Sequence, residues 1–294
     1  MTTQIVTTES LLLTRTKAPA LPVAPTNYNR EYIDELNRIL RLYFNTVDNF
    51  VGQLSANSTS IISNLRLPYG AFHQDGETTL SVGITNVSTT PIQVASTAGF
   101  PSSGWLIIEN EIISYTTKTA TTFDGTITRG VLGTTNVAHT AGLKVTEAQG
   151  TGSATTIGQV LFNYTDLSSG VSVNALDESK VVFADAGVYN IQFSVQLLNY
   201  TTNDDNVTVW FKKNGTDIAN SASIEQVNPK HGTKPGAVIL ALNFVDSFTA
   251  GDYIELYWAS DTGETVLGTY PPGTSPTHPA SPGVIMTVSF VSHI

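Results

Sequence analysis

The hydrophobic period of this chain switches at Pro68, and any fold it adopts must house both periods. Before the switch, Ile33, Leu36, Leu40, Tyr43, Val47, Phe50 and Leu54 recur at alternating intervals of three and four. That spacing keeps one seam of an α-helix turned toward a partner helix, and leaves Arg30, Asp34, Glu35, Arg38, Arg41 and Asp48 for flanks and solvent. Asn29 is placed to cap its start. Tyr32, Ile39, Phe44 and Val51 widen the apolar stripe, which suits three helices better than two. A helix docked on its own domain would carry a similar stripe. The order of proline-rich arm, helix and β head favours oligomerisation, so residues 29–66 predict a helical, trimeric coiled-coil stalk.

After Pro68 the period is two. Strands are expected over 71–74, 160–164, 188–198, 207–212, 238–245, 253–259 and 285–291, separated by turn signals such as Asn214-Gly215 and Ala250-Gly251-Asp252. Tyr189, Ile191, Phe193, Val195 and Leu197 alternate with Asn190, Gln192, Ser194 and Gln196, so this strand has one core face and one wet face. By contrast, 238–245 and 285–291 are apolar on both faces. In an antiparallel sandwich that calls for a second buried surface, such as a subunit interface around a trimer axis.

Ahead of the helix, residues 2–27 are rich in Thr and carry Pro19, Pro22 and Pro25, which rule out regular helix or central strand. Ile5, Val6, Leu11, Leu12, Leu13, Leu21 and Val23 give this arm enough apolar surface to become ordered on a partner. Residues 1–28 are therefore expected to be an extended docking arm. The net charge of -10 and the lack of any Lys/Arg cluster argue against nucleic acid as a partner. With no cysteine, disulfides, cysteine-based zinc sites and cysteine nucleophiles are excluded. No basic region precedes Leu11-Leu12-Leu13, and no apolar run approaches the ~20 residues needed to cross a bilayer. Cytoplasmic synthesis without membrane insertion is expected.

Three motifs carry a family resemblance. Phe183-Ala184-Asp185-Ala186-Gly187-Val188-Tyr189-Asn190-Ile191-Gln192-Phe193 resembles a strand signature of the tumour-necrosis-factor and complement-head superfamily. Val209-Trp210-Phe211-Lys212-Lys213-Asn214-Gly215 resembles its Lys-Asn-Gly hairpin, and Phe248-Thr249-Ala250-Gly251-Asp252-Tyr253-Ile254-Glu255-Leu256 its Gly-Asp strand, in the family's order. The version here is similar to heads of phage structural proteins, in which Pro68-Tyr69-Gly70-Ala71-Phe72 opens the domain. The resemblance implies a mainly β fold with a trimeric, ten-stranded antiparallel jelly-roll sandwich. Gly99-Phe100-Pro101-Ser102-Ser103-Gly104, the stretch 106–115 and Thr126-Ile127-Thr128-Arg129-Gly130-Val131-Leu132-Gly133-Thr134-Thr135 are similar to a small β module common in phage tail proteins. That module would interrupt the jelly roll at 87–152, between a first part at 67–86 and the remainder at 153–294, with Gly150, Gly152 and Ser153 as a return linker.

No constellation of catalytic groups stands out. His73, His139, His231, His278 and His293 lack metal-ligand spacing, and Asn203-Asp204-Asp205-Asn206 is more consistent with a solvated turn than a calcium loop. Glu109 and Glu111 flank a tight turn, where carboxylates commonly serve solubility. There is no phosphate-binding glycine loop and no nucleophile elbow. No catalytic residue, cofactor or metal is expected.

Partner-binding candidates lie in the loops 228–236, with Lys230, His231 and Lys234, and 269–282, with Tyr270 and His278. Both are stiffened by proline, and rigid loops lose less entropy on binding; they could equally close the ends of the sandwich. The expectation is a non-enzymatic homotrimeric fibre on a bacteriophage virion. Its arm would dock on a tail, collar or capsid protein, and its head would project toward a host glycan or protein. The alternatives are a capsid or collar decoration fibre without receptor role, a tail-borne polysaccharide depolymerase, and a cytokine-like trimeric ligand.

Overall fold

Alternating side chains on a pleated strand bury one face and wet the other, and in this chain that rule is followed over most of the length beyond Pro68. The computed structural model describes residue 27, residues 30–64 and residues 67–294, with side chains in the helix described as far as residue 53. The expected arm at 1–28, the cap at Asn29 and the side chain of Leu54 lie outside the described residues, residue 27 excepted. The chain divides into two units, residues 1–66 and 67–294.

The first unit contains helix α1 (Arg30–Asn64). It carries Glu31 in its first turn, where a carboxylate faces the positive end of the helix dipole. Arg38 grips Glu35 through two hydrogen bonds of 2.9 and 2.7 Å on its exposed surface. Along the predicted stripe Ile33 is 36% exposed and Leu36, Leu40, Tyr43, Val47 and Phe50 are half-buried. Phe44, Val51 and Leu42 are more than half exposed.

The second unit is antiparallel β. Its first half contains β1 (Tyr69–His73), β2 (Glu77–Thr79), β3 (Ile92–Gln93), β4 (Gly104–Ile108), β5 (Glu111–Tyr115), β6 (Thr117–Lys118), β7 (Thr122–Asp124) and β8 (Lys144–Gly150). The second half contains β9 (Gly158–Gln159), β10 (Tyr164–Ser169), β11 (Val171–Asn174), β12 (Asp177–Phe183), β13 (Gly187–Asn199), β14 (Asp205–Lys213), β15 (Thr216–Asp217) and β16 (Ser223–Val227). It continues with β17 (Gly236–Phe248), β18 (Tyr253–Ser260), β19 (Thr265–Gly268), β20 (Gly273–Thr274), β21 (Thr277–His278) and β22 (Val284–Ser292). The expected strand at 160–164 is absent: Val160 and Phe162 are buried, but their backbone is irregular between β9 and β10.

Two sheets form a sandwich. One runs β11-β12-β18-β14-β15, with β16 also on β14 and β9 on β18. The other is centred on β13, which pairs with β17 along its whole length and on its other edge with β22 and then β19. Tyr189, Ile191, Phe193, Val195 and Leu197 of β13 are buried against Val207, Val209 and Phe211 of β14 and Ile254, Leu256 and Trp258 of β18. Fully burying one such side chain stabilises the fold by roughly 1.5–3 kcal/mol. Gly187, the glycine of the first motif, cannot be replaced without a clash, because a Cβ there would lie 2.4 Å from the Phe290 ring. The second and third motifs meet: Asn214 stands at φ 51° in its turn, donates to Asp252 at 2.8 Å and accepts from Tyr253 N at 2.9 Å.

A second hydrophobic cluster gathers Leu80, Ile92, Phe100, Leu106, Ile113, Tyr115 and Phe123 between β2 and β8. Gly150, expected in a linker, instead ends β8 and pairs with Val266 of β19. That pairing makes β8, β4 and β5 a continuation of the β13 sheet. The residues 203–206 also differ from a solvated turn: Asp205 opens β14, is 2% exposed, and accepts hydrogen bonds from Ser260 Oγ, Thr265 Oγ1 and Thr262 N.

Candidate functional site

Glu109 and Asn110 make the two-residue turn joining β4 to β5, with Glu109 at φ 56°. The next residue, Glu111, does not serve solubility as expected; its side chain is fully buried. Arg129 Nε and Nη2 donate to its two oxygens at 2.6 and 2.8 Å. The backbone N–H groups of Gly130 and Val137 donate at 3.0 and 3.1 Å, and His139 Nε2 approaches at 2.8 Å. Arg129 further donates to the carbonyls of Thr85 and Val137, each at 2.6 Å.

Burial alone would raise the Glu111 pKa, but the hydrogen bonds from His139, Arg129 and Val137 outweigh it and hold the carboxyl at about 2. Burial likewise opposes a charge on His139. Its bonds to Glu111 and, through Nδ1 at 2.9 Å, to Glu109 prevail and raise its pKa. An imidazolium donating from both nitrogens is the form this geometry requires. The cluster is a clamp that fastens the loop 130–137 to the β4–β5 turn. Sequence reasoning missed it because Glu111 is 18 positions from Arg129 and 28 from His139; a buried site for isolated charges has no local pattern.

Beside the clamp lies a cleft of about 310 Å³, lined in part by Glu109, Asn110, Tyr200 and Lys230. Lys230 is half-buried and its Nζ donates to Gly133 O at 3.0 Å. His231 and Lys234 are exposed and joined through their backbones at 2.9 and 3.2 Å. Tyr270, expected in a partner-binding loop, is not freely exposed. It is half-buried, packs on the cluster of Ile107, Ile112, Leu198 and Tyr200, and has its phenol pKa raised by burial. His278 is exposed opposite Gly273, with Nδ1 2.8 Å from Pro279 O. Of the predicted loop residues, then, Lys230 and Tyr270 approach one wall system through Tyr200, while His278 stands in its own hairpin.

The outer face of the β17-β13-β22 sheet is the third feature. Ile239 and Val245 of β17 are 63% and 56% exposed, and Ile285 and Val291 of β22 are 40% and 57% exposed. Between them β13 presents Gln192 and Ser194 along a shallow cavity of about 470 Å³. Asn190 Oδ1, on the same outward set, is buried without a hydrogen-bond partner among the described residues. Among the described residues no group of three or more His, Asp or Glu could hold a metal ion, and no helix is long and apolar enough to cross a membrane.

These elements define an antiparallel β-sandwich protein, mainly β with one long helix, consistent with a jelly roll. No family model and no curated protein matches the chain. Among solved structures it is similar to the crystal structure of murine APRIL at pH 5.0, with 13% identity over 46% of this chain and 88% of that chain and a TM-score of 0.31. The structure of murine APRIL at pH 8.5 is similar at 14% identity over 47% and 90%, also with a TM-score of 0.31. At that score the likeness carries nothing beyond itself, and the strand pairing is the ground for the class.

Proposed function

We propose that this chain is a non-enzymatic, homotrimeric structural fibre of a bacteriophage particle. Residues 1–28 act as the docking arm and 29–66 as the coiled-coil stalk. The jelly-roll head comprises 67–86 and 153–294, with 87–152 as an inserted module, and serves host attachment. The observation that carries this reading is the outer face of the β17-β13-β22 sheet, where Ile239, Val245, Ile285 and Val291 stand open to solvent in the single chain. A face with that much apolar exposure is stabilised by burial against further copies, and the three-four stripe of the helix independently favours self-association.

The test is the mass in solution. Light scattering should give three times the chain mass of 31.4 kDa, and Ile239→Asp with Val245→Asp should shift the protein toward monomer, because charges placed in that seam would be desolvated without partners. A wild-type monomer at micromolar concentration overturns the trimer. Absence of the chain from purified particles of a phage encoding it overturns the virion assignment.

A further inference from the structure

Gly133 and Lys230, 97 positions apart in sequence, meet through a hydrogen bond, and Lys230 and Thr134, the residue after Gly133, both line the 310 Å³ cleft. Its first wall is the Glu109-Asn110 turn with Thr135 and Val137; its second is Lys230 with Thr233; Tyr200, only 3% exposed, lies between them. Both walls are held in place. The first hangs on the Glu111 clamp, since the Val137 N–H is bound to Glu111 and the Glu109 carboxylate to His139. The second is tied by Lys230 N donating to Thr201 O at 2.8 Å and Lys230 Nζ donating to Gly133 O. Gly133, at φ 73°, allows the approach, because a Cβ there would sit 2.8 Å from Thr201 Cγ2. A cleft whose walls are fixed before anything enters loses little entropy on binding.

Its chemistry narrows the ligand. Glu109 Oε2 is occupied by His139, while Oε1 makes no hydrogen bond among the described residues. The Asn110 amide and the Thr135 and Thr233 hydroxyls also make none there, and Lys230 keeps ammonium hydrogens beyond the one given to Gly133. The free groups therefore mix donors and acceptors, and the lining carries one carboxylate and one ammonium, so a net charge on the ligand gains nothing. Val137, 43% exposed, adds an apolar strip. The volume stands at the small end of the roughly 300–1,000 Å³ typical of ligand pockets.

We propose that this cleft binds a neutral saccharide unit, whose hydroxyls each donate and accept while its C–H face lies on the apolar strip. The proposal deepens the attachment reading and rests on it only for its biological setting. The probes are glucose, galactose, mannose and N-acetylglucosamine at millimolar concentration, with saturation-transfer NMR on the full chain. At least one should receive saturation from the protein. The double variant Asn110→Ala, Thr135→Ala touches side chains that hold nothing else. It should keep the wild-type melting temperature and weaken that binding about tenfold, as expected for two lost hydrogen bonds. No transfer to any of the four sugars, or equal affinity in a folded variant, overturns the assignment. Because the readout uses isolated protein, its failure leaves trimer and particle tests standing, and their failure leaves this one standing.

Discussion

Glu111 and Glu147 lie on β5 and β8, the two strands that flank β4, and both are 0% exposed. Their surroundings drive them apart. Glu111 receives a guanidinium, an imidazole and two backbone N–H groups and stays ionised, with a pKa of about 2. Burial pushes Glu147 up to about 8, against a single amide donor of good geometry, Asn163 Nδ2 at 2.6 Å, and the nearby charge of Glu178 pushes in the same direction. Lys118 is close enough to lower it a little, but its ammonium is given to the carbonyls of Thr97 and Phe100. The Gln74 side-chain amide lies beside Glu147, yet among the described residues its atoms and Glu147 Oε1 meet no partner at hydrogen-bonding geometry. Equal burial thus yields a charge clamp in one place and a neutral carboxylic acid in the other. The number of donors aimed at the oxygens decides which.

Removing the clamp should produce the largest effect. Glu111→Ala leaves Arg129 charged in the interior with carbonyl acceptors alone and His139 with only Glu109, and should cost about 3–5 kcal/mol in denaturant melts. A loss below about 1 kcal/mol would mean the loop 130–137 opens to water and the contrast between the two carboxyls is smaller than their burial implies.

The pH dependence ranks second and separates them by sign. A Glu147 pKa raised from 4.5 to about 8 means the folded state binds a proton that the unfolded state has lost. Stability should therefore fall as pH rises from about 4.5 to 8, by at most about 5 kcal/mol before relaxation and water entry reduce it. The lowered pKa of Glu111 acts oppositely: its contribution is complete above about 4.5 and disappears as pH falls toward 2. His139, raised above 6.5, adds stability below that value and loses it as pH rises through its folded pKa. Glu147→Gln should flatten most of the decline between pH 5 and 8, leaving only the His139 part. An unchanged slope in that variant would place the titration elsewhere.

The smallest expected change comes from Asn163→Ala. It removes the one well-made hydrogen bond to Glu147, one from Asp75 N and one to Gly99 O, and should cost about 1–2 kcal/mol. It should also move the midpoint of the alkaline decline further up, because that bond favours the ionised form. Melts across pH would check both.

Much of the frame is legible in the sequence. The strand β13 follows its alternation residue by residue from Gly187 to Leu197, after which Leu198 and Asn199 are buried as well; the Asn214-Gly215 turn has positive φ at both positions, and Ile239 and Val245 stand outward as their parity requires. The site was legible only in fragments. Lys230 does face a cleft, but Tyr270 turned inward, because the cluster of Ile107, Ile112, Leu198 and Tyr200 offers its ring an apolar seat that sequence distance hides. Residues 160–164 kept the apolar content of a strand without its ladder, since Val160 N bonds to Leu256 O and Phe162 N to Glu178 O in two different strands.

By itself the sequence determined the period of each segment, and with it where helix and strand form and which face of each strand is apolar, because these depend on neighbours within a few positions. Tertiary structure alone decided the state of the buried charges, the joining of β8 to β19, and the meeting of the 130–137 and 228–236 loops. Each of these depends on groups tens of residues apart, where electrostatics in a low-dielectric interior is set by which donors arrive and how many.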